Sequence, residues 1–426
     1  MKNMLILLIS FFVLVFLRVP VAVSLAMATA FVLFQADFNM NMMPQRIFTA
    51  LDSFPMMAIP GFVFAGVLMA RGGISKYLIE ALRSWVGHLP GGLAVVTILA
   101  CAIFAAISGS SPATAAAIGS IMIPAMLAAG YNKRYSMGLV AAGGTLGILI
   151  PPSVPLIIYG ITSEESIGQL FMAGVIPGLG LTALLIVSAV IYAKRNGFKG
   201  DNPATMAERG QKSLKAIWGA FLPVLILGSI YSGAVTPTES AVVALVYGLI
   251  VSVFIYREIK WRDIRPIVVE SINITAMIFL IIGAASLFGL YLTNAQIPHL
   301  VGQWIAESDI NKWVFMIIIN IMFFVMGMFL EAVSIILITL PILLPILVHF
   351  DINLIHFAII MTINMELGMI TPPVGLNLFV VSGIAKEKLG EVVKGVIPFI
   401  VLMIIFLVAV IIFPQMSLWL PDLMKN

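Results

Sequence analysis

Charged residues are scarce in this chain. Asp, Glu, Lys and Arg make up 10% of its 426 residues and hydrophobic residues 61%, whereas a soluble domain carries about 25% charged residues. A surface so poor in charge must face lipid, and apolar stretches of about 20 residues, the length of a membrane-spanning helix, recur along the whole chain. The longest polar stretch, 194–215, is too short to be a soluble domain. We therefore predict an integral membrane protein.

Cysteine and histidine are also rare. The single cysteine, Cys101, lies in an apolar run, which excludes a disulfide and a thiolate metal site within the chain. The four histidines are predicted in loops, with no spacing typical of a metal site. No small-residue cleavage site follows the first apolar stretch, 4–17, so we interpret this stretch as a retained span rather than a signal peptide.

The chain contains an internal repeat at an offset of 221 residues. The Pro-Pro pair at 151–152 falls on the pair at 372–373, and the Gly-Val-Ile-Pro run at 174–177 falls on the run at 395–398, without a gap between them. Apolar segments are built from few residue types and can match by chance. The match of both the Pro-Pro pair and the Gly-Val-Ile-Pro run at one offset argues against chance. The chain is therefore predicted to be two halves of one design.

Charge predicts that the two halves are inverted in the membrane. The loop with Lys133 and Arg134 corresponds to a loop that holds Asp351 and no Lys or Arg, and two glutamates at 164–165 correspond to a loop with two lysines at 386–388. Because positive charge marks the cytoplasmic side, equivalent loops are expected to face opposite sides. Inverted repeats are typical of secondary transporters, which hold the substrate between the halves near the membrane midplane.

Each half is predicted to contain five membrane spans, an odd number that produces the inversion. The spans fall near 4–17, 19–35, 54–70, 134–162 and 167–193 in the first half and near 216–232, 237–256, 266–293, 354–384 and 391–413 in the second. The basic loops at 71–83, 194–215 and 257–265 are then all expected in the cytoplasm.

Two further apolar segments, 91–128 and 312–350, are each interrupted midway, at 108–112 and at 327–334. Two full spans in each segment would leave the charge pattern unchanged, so charge does not exclude that alternative. We favour re-entrant hairpins, because clusters of Ser, Gly and Pro allow a turn inside the membrane where protein or a water-filled cavity surrounds it. The predicted fold class is all-α integral membrane, with an inverted repeat, two re-entrant hairpins and two broken helices.

The interruptions at membrane depth carry the candidate site. The first hairpin tip, 108–114, offers hydroxyls and carbonyls released from helical bonding, which are ligands that sodium takes in transporters. Small residues also pack helices closely, but Pro112 breaks the helix where packing would favour continuity. The prolines at 151–152 either open or merely kink their helix, and the matching break at 364–373 favours opening.

Glu331 and Glu366 place carboxyl groups in apolar surroundings, where an ionisable side chain is functional by default. Either could bind sodium, carry a proton or cap a half-helix. Glu239, which follows Thr236-Pro237-Thr238, is instead predicted to cap its helix.

The candidate residues for sodium and substrate binding lie in the two tips and the two breaks. They are Ser108, Gly109, Ser110, Ser111, Thr114, Gly144, Thr145, Gly147, Pro151, Pro152, Ser153, Gly327, Glu331, Asn364, Glu366, Gly368, Thr371, Pro372, Pro373, Gly375 and Asn377. Among them the candidate sodium ligands are Ser108, Ser110, Thr145, Glu331, Glu366 and Thr371.

These motifs together resemble the large membrane (M) subunit of tripartite ATP-independent periplasmic (TRAP) transporters, in the ion transporter superfamily, over essentially the whole chain. The motifs are Arg-Val-Pro-Val-Ala at 18–22, Ser-Gly-Ser-Ser-Pro-Ala-Thr at 108–114, Gly-Ile-Leu-Ile-Pro-Pro-Ser at 147–153, Ala-Gly-Val-Ile-Pro-Gly at 173–178, Thr-Pro-Thr-Glu-Ser at 236–240 and Gly-Met-Ile-Thr-Pro-Pro-Val-Gly at 368–375. The Pro-Pro break alone is shared with related ion-transporter families.

The resemblance implies sodium-coupled uptake of a small organic acid across the bacterial inner membrane by an elevator mechanism. By family likeness, 108–114 and 147–153 line one sodium site, and 327–334 and 364–377 line the other. The scaffold then comprises 1–90 and 216–311, the moving transport elements 91–193 and 312–426, and the cytoplasmic loop 194–215. Sodium ions are implied as coupling ions, with no further cofactor.

The resemblance also implies two protein partners, a periplasmic substrate-binding protein and a small four-helix membrane subunit. The sequence starts at its own first span, so we expect the small subunit to be a separate chain. Family substrates include C4-dicarboxylates, sialic acid and 2-keto acids. No intramembrane Arg stands out as a carboxylate clamp, which favours recognition by backbone and hydroxyl groups.

Three alternatives remain open. A stand-alone sodium/anion symporter of similar architecture would need no binding protein. An intramembrane enzyme with Ser110 or Ser111 as nucleophile would need a base within hydrogen-bond reach, and no histidine is predicted at membrane depth. A passive channel would explain the inverted hairpins less well than alternating access does.

Overall fold

The computed structural model describes residues 2–36, 38–297, 299–301, 303, 308 and 310–423. Within these residues the chain is helical and contains no β-strand. Parts of the predicted segments 1–90, 216–311 and 312–426 lie outside the described residues.

The described helices of the first half are α1 (Lys2–Phe16), α2 (Val21–Gln35), α3 (Met42–Leu51), α4 (Ala58–Arg71), α5 (Ile74–Val86), α6 (Gly92–Ser108), α7 (Ser111–Ala128), α8 (Lys133–Thr145), α9 (Val154–Ser163) and α10 (Ile167–Arg195). Those of the second half are α11 (Met206–Tyr231), α12 (Pro237–Leu249), α13 (Trp261–Asn294), α14 (Lys312–Gly327), α15 (Ala332–His349), α16 (Leu354–Met369), α17 (Leu376–Ala385), α18 (Leu389–Ile412) and α19 (Gln415–Leu423).

Eight of the described helices are long and apolar enough to cross a membrane, judged by length and composition. The predicted spans coincide with helices in both halves. The spans predicted near 134–162 and 354–384 are each two shorter helices separated by a break, α8 with α9 and α16 with α17. The all-α fold with broken helices is therefore confirmed.

Three described helices were not predicted, namely α3, α5 and α19. Helix α5 lies in the stretch predicted as a basic loop. It buries Ile74, Leu78 and Ala81 while Lys76 and Arg83 stay exposed. The exposed charged residues lower the mean hydropathy of this amphipathic helix. A search for apolar stretches long enough to span a membrane therefore misses it.

Helix α11 begins before the predicted span at 216–232. A capping box at Thr205 starts it: the Thr205 backbone N–H donates to Glu208 Oε2 over 2.9 Å, and the Glu208 N–H donates to Thr205 Oγ1 over 3.3 Å. The same device starts α12, where Thr236 N–H donates to Glu239 Oε2 over 2.7 Å. The predicted capping role of Glu239 is thus confirmed.

The repeat is visible in the helices themselves. Helices α7 and α15 each have 18 residues and begin at positions related by the same offset of 221. The next helix of each half is capped alike: Asn132 Oδ1 accepts from the N–H of Arg134 over 2.9 Å, and Asn353 Oδ1 accepts from the N–H of Ile355 over 3.0 Å. Local sequence therefore starts equivalent elements in the same way.

The two halves pack closely where α8 crosses α18. A Cβ on Gly138 would lie 2.1 Å from the carbonyl oxygen of Gly395, so the helices meet backbone to backbone. Two ion pairs flank the crossing, Lys133 Nζ with Glu387 Oε1 and Arg134 Nε with Glu391 Oε2, each at 2.5 Å. Elements of the two halves are thus packed directly against each other.

The three basic segments lie together on one side of the molecule. Arg83 Nε pairs with Asp201 Oδ2 at 2.6 Å, and Trp85 Nε1 donates to Ser213 Oγ at 2.9 Å. The Tyr77 hydroxyl donates to Glu258 Oε1 at 3.0 Å. This common side is the one that positive charge assigns to the cytoplasm.

Candidate functional site

The first hairpin tip, between α6 and α7, packs against the first break, between α8 and α9. Gly109 turns the chain with a φ of +59°, and a Cβ there would lie 2.8 Å from the carbonyl oxygen of Pro152. A Cβ on Gly147 would lie 2.5 Å from the carbonyl oxygen of Ser110. Both positions need glycine because a neighbouring backbone occupies the space of a side chain.

This first junction collects neutral oxygen atoms in a buried place. Ser108 Oγ lies 2.8 Å from Thr114 Oγ1, and the Thr114 hydroxyl donates to the carbonyl oxygen of Ser110 over 2.9 Å. The Ser153 hydroxyl donates to the carbonyl oxygen of Ile148 over 2.6 Å. Hydroxyl and unwound carbonyl oxygens of this kind are suited to sodium.

Asn377, just after the second break, reaches across to the first junction. Its Nδ2 group donates to Ser111 Oγ over 2.8 Å and to the carbonyl oxygen of Ala141 over 3.0 Å. Its Oδ1 atom is buried and has no hydrogen-bond partner within the described residues. Buried polar atoms are normally satisfied, so this oxygen is available to a ligand.

The second hairpin tip, between α14 and α15, meets the second break in a similar way. The N–H groups of Val374 and Gly375 donate to the carbonyl oxygen of Met328 over 3.1 and 3.2 Å. Gly327 and Gly368 lie back to back, since a Cβ on Gly368 would lie 2.4 Å from Gly327 Cα. Gly375 has a φ of +58°.

A cavity of about 630 Å³ lies where the tips and breaks of both halves meet. Its lining includes Ser108, Gly109, Ser110 and Ser111 from the first tip, Ile148 from the first break, Val154 and Pro155 at the start of α9, Glu331 from the second tip, and Met369 and Leu376, which flank the second break. The size is that of a pocket for a small molecule. Of the candidates predicted from sequence, Ser108, Gly109, Ser110, Ser111 and Glu331 line this cavity, whereas the candidates of the two breaks do not.

The two candidate acids differ in their surroundings. Glu331 lines the cavity at the N-terminus of α15, and its side chain makes no capping hydrogen bond. Glu366 is fully buried in α16, away from the cavity lining, and neither of its carboxyl oxygens has a partner within the described part of the chain. A buried carboxylate without a partner is costly, so Glu366 must hold either a proton or a cation.

The remaining candidates support the junctions rather than line the cavity. The hydroxyls of Thr145 and Thr371 donate to carbonyl oxygens of their own helices over 2.8 and 2.7 Å. Asn364 Nδ2 donates to Asn320 Oδ1 over 2.6 Å. Gly144 packs against Ala115. The peptide bonds Pro151-Pro152 and Pro372-Pro373 are both cis.

Sequence reasoning missed two charged residues of the cavity. Arg71, at the end of α4, and Glu270, in α13, line it and form an ion pair with each other. The prediction placed Arg71 in a basic cytoplasmic loop. The two positions are 199 residues apart, so no local pattern could have joined them.

Histidines predicted in loops include two that lie in described helices. His349 ends α15, and His356 is buried in α16. His356 does not line the cavity that holds Ser110 and Ser111.

Comparison with known proteins gives one consistent family. Residues 8–416 match the family model described as tripartite ATP-independent periplasmic transporter, DctM component. The chain is 42% identical to the C4-dicarboxylate TRAP transporter large permease protein DctM of Pseudomonas aeruginosa, over 94% of each chain. It is 35% identical to the sialic acid TRAP transporter permease protein SiaT of Haemophilus influenzae, over 97% of this chain and 67% of that one.

Two other relatives extend the comparison. The isethionate TRAP transporter permease protein DctMQ of Oleidesulfovibrio alaskensis is 41% identical over 91% of this chain and 61% of that one. Among solved structures, the YdaH transporter of Alcanivorax borkumensis is similar in fold, with a TM-score of 0.63 over 89% of this chain and 88% of that one, at 14% identity.

Proposed function

The chain belongs to the DctM component family of the tripartite ATP-independent periplasmic transporters, and from this membership we propose that it couples the uptake of a small organic acid to a sodium gradient. The family is one of transporter permeases, not of enzymes. Membership places the chain as a multi-pass protein of the bacterial inner membrane.

The substrate is a small organic anion, such as a C4-dicarboxylate or sialic acid. The relatives named above are permeases for a C4-dicarboxylate, sialic acid and isethionate, and these compounds share an anionic group. The single observation that best supports this function is the cavity between the two halves, which has the volume of a small molecule and is lined by both hairpin tips.

Sodium binds at the two tip–break junctions. The first site uses oxygens of the 108–114 tip and the 147–153 break, with Ser108 and Ser110 as the nearest to the cavity. The second uses the 327–334 tip and the 364–377 break. An organic anion beside the Glu331 carboxyl needs a compensating positive charge, and this supports coupling to a cation.

We infer that transport occurs by an elevator movement, and the contact of the first hairpin tip with α4 supports an inward-facing state. A Cβ on Gly66 of α4 would lie 3.0 Å from the carbonyl oxygen of Ser108. Gly66 is about one and a half turns before Arg71 at the end of the helix, on the side that the basic segments assign to the cytoplasm. The first hairpin tip therefore lies nearer to the end of α4 at Arg71 than to the end at Ala58.

The chain acts with a small four-helix membrane subunit and a periplasmic binding protein. We expect the small subunit as a separate chain, although the relative DctMQ is longer than this chain, so the two are not always separate in the family. The alternative is a stand-alone symporter that takes its substrate directly.

Uptake into proteoliposomes tests the proposal. The vesicles hold this chain with its small subunit, and succinate or sialic acid is added outside with an inward sodium gradient, with and without the purified binding protein. We expect accumulation only when both sodium and the binding protein are present. Accumulation without the binding protein would favour the stand-alone symporter, and accumulation without sodium would contradict the coupling.

A further inference from the structure

The charges that line the cavity are unevenly distributed. Arg71 is the only positively charged side chain among the described lining residues, and its companions Glu270 and Glu331 are acidic. An organic anion that occupies this cavity therefore has one side chain with which it can form an ion pair.

The Arg71–Glu270 pair is accessible from the cavity. The two side chains retain 47% and 43% of their exposure although they are paired. Exposed ion pairs contribute little to folding stability. The Arg71 guanidinium can therefore exchange one carboxylate partner for another without a large cost to the fold.

The Arg71–Glu270 pair lies on different helices from the hydroxyl and carbonyl groups of the site. Helices α4 and α13 belong to the expected scaffold, whereas the oxygen-rich tips and breaks belong to the hairpins and broken helices. The two helices pack against each other. A substrate held by the tips thus shares the cavity with a cation that belongs to the expected scaffold.

We propose that Arg71 is a substrate-binding residue of the scaffold, which accepts the anionic group of the substrate on its way to the cytoplasm, and that Glu270 is the resident carboxylate which the substrate displaces and which later displaces the substrate. This inference rests on the proposed transport of organic anions. Arg71 Nη2 contacts Glu270 through one carboxylate oxygen, Oε2. Guanidinium can bind a carboxylate through two parallel hydrogen bonds, so a substrate carboxylate can take the place of Glu270. When Glu270 returns, it restores the pair and prevents the anion from remaining bound.

A binding measurement on the purified full-length chain separates this inference from transport itself. The probe is succinate, with sialic acid as a second anion, added to wild-type protein in detergent and sodium chloride, and binding is read from the rise in unfolding temperature. The variants are Arg71→Gln, Glu270→Gln and, as a control with the same loss of charge, Arg83→Gln, whose partner Asp201 lies outside the cavity lining.

The two members of the pair are expected to act in opposite directions. Arg71→Gln should weaken anion binding by about tenfold or more, the scale of a lost charge-assisted hydrogen bond. Glu270→Gln should strengthen binding severalfold because the competing carboxylate is removed, and Arg83→Gln should match wild type.

Three results would overturn the inference. Equal binding in all four proteins would show that Arg71 does not bind the anion. Loss of binding in both Arg71→Gln and Glu270→Gln would show that the ion pair serves only to maintain the structure of the site. A wild-type protein stabilised by neither anion would exclude an anion site. A wild-type protein that binds the anion but shows no sodium-driven uptake would instead contradict the proposed function.

Discussion

Glu366 is the residue whose surroundings indicate most directly that it binds an ion. Its carboxyl group is fully buried, and no hydrogen bond reaches it from the described residues. Hydrophobic side chains of α16 surround it in sequence, including Met365 and Leu367, which are also buried. A group in this state needs a proton or a cation, and both are ions that a secondary transporter can couple.

Replacing Glu366 with glutamine should weaken sodium coupling more than folding. Glutamine keeps the volume of the side chain and removes its negative charge, so the sodium concentration that gives half-maximal uptake should rise about tenfold. Uptake measured against sodium concentration checks this, with Glu387→Gln as the control because Glu387 pairs with Lys133 outside the cavity lining. Unchanged sodium dependence in Glu366→Gln would exclude Glu366 from the ion site.

Single residues were predicted from sequence only where their own neighbours identify them. Ser108 and Ser110 stand out because they interrupt an apolar run, and the structure puts both at the cavity. Arg71 did not stand out, because it ends a helix beside a basic segment and its partner Glu270 lies far along the chain. A contact between distant residues leaves no local pattern in one sequence.

At the scale of elements, the packing of the first hairpin against the first broken helix requires their backbones to approach closely. Gly147 of the break and Ser110 of the tip approach so closely that a methyl group has no room. Packed interiors do not yield easily to added volume, so this contact fixes the position of the tip oxygens relative to the break.

Gly147→Ala should therefore impair uptake and destabilise the protein. The added Cβ would lie 2.5 Å from a backbone oxygen, and overpacking of this kind costs about 1–3 kcal/mol. Gly383→Ala in α17 is the matched control, since a Cβ there meets nothing within 4 Å and alanine in a helix gains about 0.5–1 kcal/mol. Uptake and unfolding temperature are measured for both. Equal behaviour of the two variants would show that the tip tolerates displacement.

Sequence predicted the elements better than it predicted their packing. The apolar helices and the breaks were found because apolar length and helix-breaking residues are local signals, whereas the re-entrant course of the two hairpins stays a prediction. Helix α5 was missed because charged residues of its exposed face alternate along the sequence with the residues that it buries. The approach of Gly138 to Gly395 was not foreseen because a small residue does not indicate which residue it will contact. The repeat at one offset compensated in part, since it identified equivalent elements in the two halves.

At the scale of the whole molecule, an elevator movement requires the hairpins and broken helices to move against a fixed scaffold. Helix α10 packs against α6 and α9, whereas α11 packs mainly against α5 and α12 and to a smaller extent against α6. Where α10 meets α11, a Cβ on Gly168 would lie 3.5 Å from Ile230 Cγ2. A similar approach lies within the scaffold, where a Cβ on Gly283 of α13 would lie 3.2 Å from Ile47 Cγ2 of α3.

The most direct test of this movement is sodium-driven uptake by a protein with a reversible cross-link between α10 and α11. In a Cys101→Ala background, Gly168→Cys with Ile230→Cys brings two thiols within the reach of a disulfide. Gly283→Cys with Ile47→Cys is the control inside the scaffold. We predict that oxidation stops uptake in the first protein, that reduction restores it, and that the control transports in both states. Full uptake by the oxidised first protein would contradict the elevator movement.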